Sequence, residues 1–117
     1  MFYELRGYDV DPDQWDAFIA WGDEHIAPVL FDQFGFRLVG RWEVVPKAGE
    51  TPPATNYHWI LAWESEAEMH GRWAAVFASD SWKAAWGRQV DPATGKSRYI
   101  TKFSSTLLRP LPLSPLQ

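Results

Sequence analysis

Few side chains in this sequence can do acid–base, nucleophilic or metal chemistry, and their spacing decides which of them matter. The three histidines, His25, His58 and His70, lie far apart and form no H-E-x-x-H or comparable ligand pattern. With no cysteine in the chain, a zinc site would need distant residues to converge, so no metal and no other cofactor is expected. The serines stand mostly at helix starts (Ser65, Ser79) or in the last strand (Ser104, Ser105). Neither a G-x-S-x-G strand–turn–helix nor a glycine-rich phosphate loop is present. One pair is better placed. Glu4 and Arg6 alternate onto one face of an extended segment, within reach of each other. On an enclosed face of the fold and flanked by tryptophan, they would be a buried charge pair with perturbed pKa values, able to orient a polar group of a ligand. At a subunit interface they would instead be a salt bridge that fixes dimer register.

Aromatic residues are the second resource. Eight tryptophans, seven phenylalanines and four tyrosines in 117 residues exceed what a small core needs. Aromatics at this density fill a core, line a ligand cavity or build an interface. Trp42, Trp59 and Trp63 join Glu4, Arg6, His25 and His70 as the candidate ligand-contacting residues. The formal net charge of −4 and a pI near 5.2 argue against nucleic acid or an anionic membrane as a partner. No segment reaches membrane-span length, and the N-terminal stretch alternates in type rather than forming a basic and then apolar leader. A soluble cytoplasmic protein is expected.

The elements that must hold these residues follow from periodicity and capping. FYELRGYDV (2–10) alternates as a strand and stops at DPDQ, where Asp11 can cap a helix, Pro12 suits its first position and Gln14 can complete a capping box. Trp15, Phe18, Ile19, Gly22, Ile26, Val29 and Leu30 make one apolar stripe at helical spacing. Pro28 falls inside it and predicts a kink around Glu24 and His25. Gly35 ends the helix. Residues 36–45 read as a strand, 46–55 as an exposed proline-rich loop, and 56–64 as a third strand, apolar almost throughout and hence central. Ser65 and Glu68 open a second helix, a second start at Ser79 and Asp80 predicts a break in it, and residues 98–110 form the last strand.

Strand, helix, strand, strand, helix, strand is the α+β, ferredoxin-like βαββαβ order. It gives a four-stranded antiparallel sheet with both helices on one face, in a single domain spanning 1–117. The other face then lacks cover, yet the strands offer it Trp42, Trp59 or Trp63, and Phe103. A second copy of the chain is the expected cover.

The opening MFYELRGY, the helix ending EHIAPVL, the block HWILAWES, the helix start SDSW and the closing LLRPLPLSPL resemble the NIPSNAP family, in order, over essentially the whole chain. The resemblance implies a homodimeric α+β barrel, in which two ferredoxin-like sheets close around a shared interior, with no agreed enzymatic activity. A small apolar or aromatic ligand in a Trp-lined cavity is the function expected. Animal members of the family are associated with mitochondria and vesicle traffic. That role is not expected of this chain, since neither a transit segment nor a second repeat is read in its residues. The same superfamily holds cofactor-independent monooxygenases and haem-degrading enzymes. The haem-degrading group carries an asparagine on strand 1, a tryptophan on strand 3 and an axial histidine on the second helix. Trp59 or Trp63 and His70 match the last two, but strand 1 offers Glu4 and Arg6, and the chain's single asparagine is Asn56. An oxygenase or haem protein is the alternative, and a purely structural scaffold the third.

The closing RPLPLSP has the basic residue and P-x-x-P spacing of a polyproline II docking ligand. No flexible linker separates it from the last strand, and leucines are spaced through it. Residues 110–117 are therefore expected to form a rigid arm that packs on the chain's own sheet edge or on a partner subunit.

Overall fold

The computed structural model describes residues 1–117. Strands β1 (Phe2–Val10), β2 (Arg37–Glu43), β3 (Tyr57–Trp63) and β4 (Ile100–Leu108) form one antiparallel sheet in the order β2-β3-β1-β4. Helix α1 (Trp15–Trp21) and its continuation to Gln33 lie between β1 and β2, and α2 (Glu66–Ala78) and α3 (Asp80–Gly87) between β3 and β4. This is the ferredoxin-like α+β arrangement expected from the sequence.

The capping residues act largely as their types predict. Ser65 Oγ accepts from the Glu68 amide, and the Glu68 carboxylate returns to the Glu64 amide, one residue before the usual capping-box position. Ser79 ends α2 and also starts α3, its hydroxyl accepting from the Trp82 amide, which produces the break in the helical segment. Gln14 makes no side-chain cap bond. Asp11 alone caps, accepting from the Asp13 amide at a short 3₁₀ turn, Pro12–Gln14.

Pro28 does not break the first helix. Gly22–Ile26 and Pro28–Gln33 wind more widely, with bonds to the fifth preceding residue such as Ala27 N–H to the Gly22 carbonyl. Proline has no amide hydrogen to give the carbonyl four residues back, and the wider turn absorbs that mismatch. The helix buries Trp21 beside Phe18, and the Trp21 indole donates to the Ala85 carbonyl at 2.8 Å, tying α1 to α3.

Sheet register decides which side chains face the helices. Glu4, Arg6 and Tyr8 of β1 stand opposite Leu61, Trp59 and Tyr57 of β3, and opposite Leu107, Ser105 and Phe103 of β4. This row faces the helices, so Trp59, Trp63 and Phe103 are on the covered side and not, as the sequence reading had them, on the open side. The alternation in β3 could not fix the phase, because YHWILAW is largely apolar in both registers. Trp42 does lie on the open side. A bulge between Leu38 and Gly40 shifts the phase of β2, pairs Trp42 with His58, and leaves it 49% exposed. Its ring covers Gly40, where a Cβ would come within 2.8 Å of it.

The core lies between the helices and the central strands, with Leu30, Leu61 and Val76 fully buried at its centre. Asn56 brackets the end of β1, donating to the Val10 carbonyl and accepting from the Val10 amide. The closing arm meets β1 at two points. The Arg109 guanidinium sits over the Phe2 ring, and the Tyr3 hydroxyl donates to the Gln117 carbonyl at 3.4 Å. Its leucines do not pack on the chain's own sheet: Leu111, Leu113 and Leu116 are all exposed.

Candidate functional site: an arginine in an aromatic cleft

Glu4 is the most constrained polar group in the molecule. It is 2% exposed and its two oxygens accept four hydrogen bonds. Oε1 accepts from the indoles of Trp73 (2.9 Å) and Trp63 (3.1 Å), and Oε2 from Arg6 Nη1 (2.8 Å) and Ser105 Oγ (2.7 Å). The donors come from β1, β3, β4 and α2, so one carboxylate ties the helix layer to three strands. Burial opposes its charge most strongly. The hydrogen bonds from Trp73 and Ser105 and the charge of Arg6 together outweigh burial, and the carboxyl is held below its ordinary value. A carboxylate so engaged is a poor proton acceptor, and no carboxylate lines the cleft described next.

Arg6 is fixed on one side by Glu4 and surrounded by ring faces on the others. Its guanidinium carbon lies 4.6 Å from the centroid of Trp73, 5.5 Å from Trp59, 5.7 Å from Phe103 and 5.9 Å from Tyr8. Burial works against its charge, but Tyr8 and Glu4 raise its pKa further, so it stays protonated. Nη1 is spent on Glu4 and Nε reaches the Tyr8 hydroxyl at 3.5 Å. Nη2 has no partner in the chain and is not sealed from solvent.

That guanidinium lines a cleft of about 270 Å³ between the β1–β4 side of the sheet and helices α2 and α3. Trp73, Phe77, Trp82 and Trp86 form the helix wall, Tyr8, Ile100 and Phe103 the strand wall, and Arg6 is the one charged group among them. Trp82 stacks on Trp86 at 5.6 Å and Phe77 on Trp73 at 5.4 Å, which makes the helix wall a continuous aromatic surface. A smaller cavity of about 60 Å³ lies toward α1 and shares Tyr8, Trp82, Trp86 and Ile100 with the cleft. Trp59 lines it, and the Trp59 indole N–H is buried without a partner.

The candidate residues therefore separate. Glu4, Arg6 and Trp59 come together, and Trp63 supports Glu4 from within the core. Glu4 and Arg6 face the chain's own helices, which removes them from the open face where an interfacial salt bridge would lie. Trp42 stands on the opposite face of the sheet. His25 is half-buried on the widened helix beside Glu24, and His70 is exposed on α2, whose buried residues are Met69, Trp73 and Val76. Neither histidine lines the cleft, so the pairing of His70 with a strand-3 tryptophan that a haem site would need is not formed. His58 lies on the open face over Gly7, its Nδ1 buried and unpartnered. No group of three or more histidine, aspartate or glutamate side chains is placed to hold a metal ion. No helix is long and apolar enough to cross a membrane.

Sequence reasoning missed Tyr8, Trp73, Phe77, Trp82, Trp86 and Phe103 as site residues. The signal was present: Trp73, Phe77, Trp82 and Trp86 recur at helical spacing across the Ser79 break. Read alone, such a stripe is indistinguishable from core.

Solved structures share the whole fold. An uncharacterised NIPSNAP domain protein from Burkholderia xenovorans superposes with a TM-score of 0.77 at 18% identity, covering 98% of this chain and 99% of that one. A NIPSNAP family protein of unknown function from Agrobacterium tumefaciens gives 0.79 at 22% identity, over 100% and 94% of the two chains. An antibiotic biosynthesis monooxygenase is more distant, at 0.57 and 11% identity over 96% and 100%. None of the curated proteins matches the chain. The sequence model of the NIPSNAP family matches residues 3–115. With β1 from Tyr3 onward, the Glu4-centred core and the proline-rich arm as far as Pro115 inside that match, the chain belongs to the NIPSNAP family.

Proposed function

We propose that this protein is a homodimeric binding protein that holds a small apolar or aromatic molecule in the Arg6 cleft. The observation that carries the reading is an aromatic-walled cleft with a single charged group in its lining. Apolar walls with few convergent polar groups are the usual composition of a small-molecule site. At about 270 Å³ it suits a ligand of one or two fused rings. The test is a titration of tryptophan fluorescence with neutral naphthalene derivatives. Saturable quenching in the wild type, weakened about tenfold in Phe103→Ser, is expected, since Phe103 is 64% exposed and its loss leaves the core intact. No saturable quenching, or quenching indifferent to Phe103, overturns it.

The dimer is supported by shape. The chain exposes 7460 Å², where a folded monomer of 13.5 kDa should expose roughly 6,500 Å². Its radius of gyration is 15.4 Å, against about 13.4 Å for a compact chain of this length. The surplus of roughly 900 Å² is close to one partner's share of a standard interface. A second sheet would cover exposed groups: Trp42 on the open face, β4 exposed along nearly its whole length, and the outward leucines of the arm. Closing the two sheets on one another makes the dimeric α+β barrel. Light scattering at micromolar concentration is expected to give twice the chain mass, and a monomer refutes it.

A further inference from the structure

We propose that Arg6 selects the ligand by its oxygen: the cleft takes a planar aromatic molecule bearing a neutral acceptor oxygen, a ketone or quinone-type carbonyl, in preference to an aromatic carboxylate. The proposal rests on the binding reading above and goes beyond it in naming the chemical class.

Three observations lead to it. The first is the free edge of the guanidinium. Arg6 has five N–H donors in a rigid fork; Nη1 is engaged by Glu4 and Nε by Tyr8, Nη2 has no acceptor in the chain, and the residue lines the cleft. An acceptor in the cleft is the one partner still wanting. The second is the walls. The aromatic faces of Trp73 and Phe103 lie on the guanidinium, and Trp82 and Trp86 extend the same kind of surface, so a flat ring can stack while its oxygen meets Nη2.

The third is charge. An unpaired arginine would call for an anion, but this one is already neutralised by a carboxylate at 2.8 Å, and no second cation lines the cleft. A ligand carboxylate would place a second negative charge beside Glu4 in an apolar enclosure, with one positive charge between them. Burying such an unmatched charge is costly, whereas a carbonyl takes the same hydrogen bond without it. Glu4 cannot relieve the conflict by taking a proton easily, because four donors hold it in its charged form. The existing ion pair therefore works as a filter: it offers a charged donor but accepts only a neutral oxygen.

The experiment compares three probes of nearly equal size, 2-acetylnaphthalene, 2-ethylnaphthalene and 2-naphthoate, by isothermal titration calorimetry and tryptophan quenching against the full chain. The ketone is expected to bind about tenfold more tightly than the hydrocarbon, the usual worth of one hydrogen bond to a charged donor. The carboxylate is expected to bind no better than the hydrocarbon. In Arg6→Met the ketone's advantage should vanish while the hydrocarbon's affinity stays. Arg6→Lys, which keeps the charge beside Glu4, controls for loss of structure and should retain part of the advantage. Equal binding of ketone and hydrocarbon in the wild type overturns the role of Arg6 but leaves the aromatic cleft standing. Tightest binding by 2-naphthoate overturns the charge filter. Binding by none of the three overturns the cleft itself.

Discussion

The Glu4–Arg6 pair makes an asymmetric prediction about stability. If Arg6 is replaced by methionine, Glu4 keeps three donors, from Trp63, Trp73 and Ser105, and the methionine packs against the rings that held the guanidinium. If Glu4 is replaced by glutamine, the side-chain carbonyl can still serve both indoles and Ser105 can reverse its hydroxyl. The new amide, however, confronts Arg6 Nη1 with a donor, and a buried cation is left with one long bond to Tyr8. Breaking a buried pair so as to strand one charge costs about 3–5 kcal/mol. Retention of the indole bonds puts Glu4→Gln near about 3 kcal/mol, whereas Arg6→Met loses one charged hydrogen bond, about 1.5–2 kcal/mol. A chain of this length shifts its Tm by roughly 4 °C per kcal/mol. Thermal melts followed by circular dichroism at one protein concentration should therefore fall by about 12 °C for Glu4→Gln and about 6–8 °C for Arg6→Met. The double variant should melt above Glu4→Gln alone, since the stranded charge is gone. If Arg6→Met melts as low as Glu4→Gln or lower, the carboxylate is not the hub and the reasoning fails.

The remaining predictions concern acid, the sheet face and the arm. Because the Glu4 pKa is lowered in the folded state, the stability it contributes is fully present above the unfolded value, about 4.5, and is lost as pH falls through the folded value. Denaturant midpoints measured from neutral to acidic pH should decline below about 4.5 in the wild type, and Glu4→Gln should show a shallower decline from its lower start. A Cβ on Gly7 would lie 3.1 Å from His58, Ser104 and Thr55 side-chain atoms at once. Gly7→Val should thus cost about 1–3 kcal/mol by overpacking, read as a lower chemical midpoint at an unchanged denaturant slope, and a neutral effect would show that the face yields freely. Deletion of 110–117 should lower either the Tm or the solution mass at micromolar concentration, and if both are unchanged the arm is a free tail of the docking kind.

Much of the fold was legible because local signals agreed with one another. Ser65, Ser79 and Asp11 marked the helix starts that the structure uses, and the alternation of FYELRGYDV marked β1 to the residue. The site was less legible, for a physical reason. Glu4 and Arg6 stood out as charged groups in a strand, but their surroundings depend on the phase of β3 and β2. The apolar run YHWILAW fits either phase, and the bulge at Leu38–Gly40 leaves no clear mark in the sequence. The helix-wall tryptophans follow the same 3.6-residue period whether they face a filled core or an open cleft, and the difference lies in volume, which periodicity does not encode. His70 was attractive by residue type and helix number alone; its position beside Met69 turns it outward.

On the proposed binding role, the same contacts link stability to recognition. An arginine in an open cleft would normally sample many rotamers, and a ligand would have to order it at a cost of up to about 2 kcal/mol. Here Glu4 clamps one edge and four rings enclose the faces, so the free Nη2 edge is held in place before any ligand arrives. The ordering cost is met once, during folding, by a carboxylate that is itself held by two indoles and a hydroxyl. It follows that substitutions at Trp63, in the core and away from the cleft, should weaken discrimination between ketone and hydrocarbon without touching either probe. Trp63→Phe removes one donor from Glu4 while nearly preserving the packing against Phe36, whose ring lies 4.8 Å away. Calorimetry on that variant should show the ketone's advantage reduced and the hydrocarbon's affinity intact. An undiminished advantage would mean that Arg6 is positioned by its aromatic neighbours alone and that the Glu4 hub serves folding only.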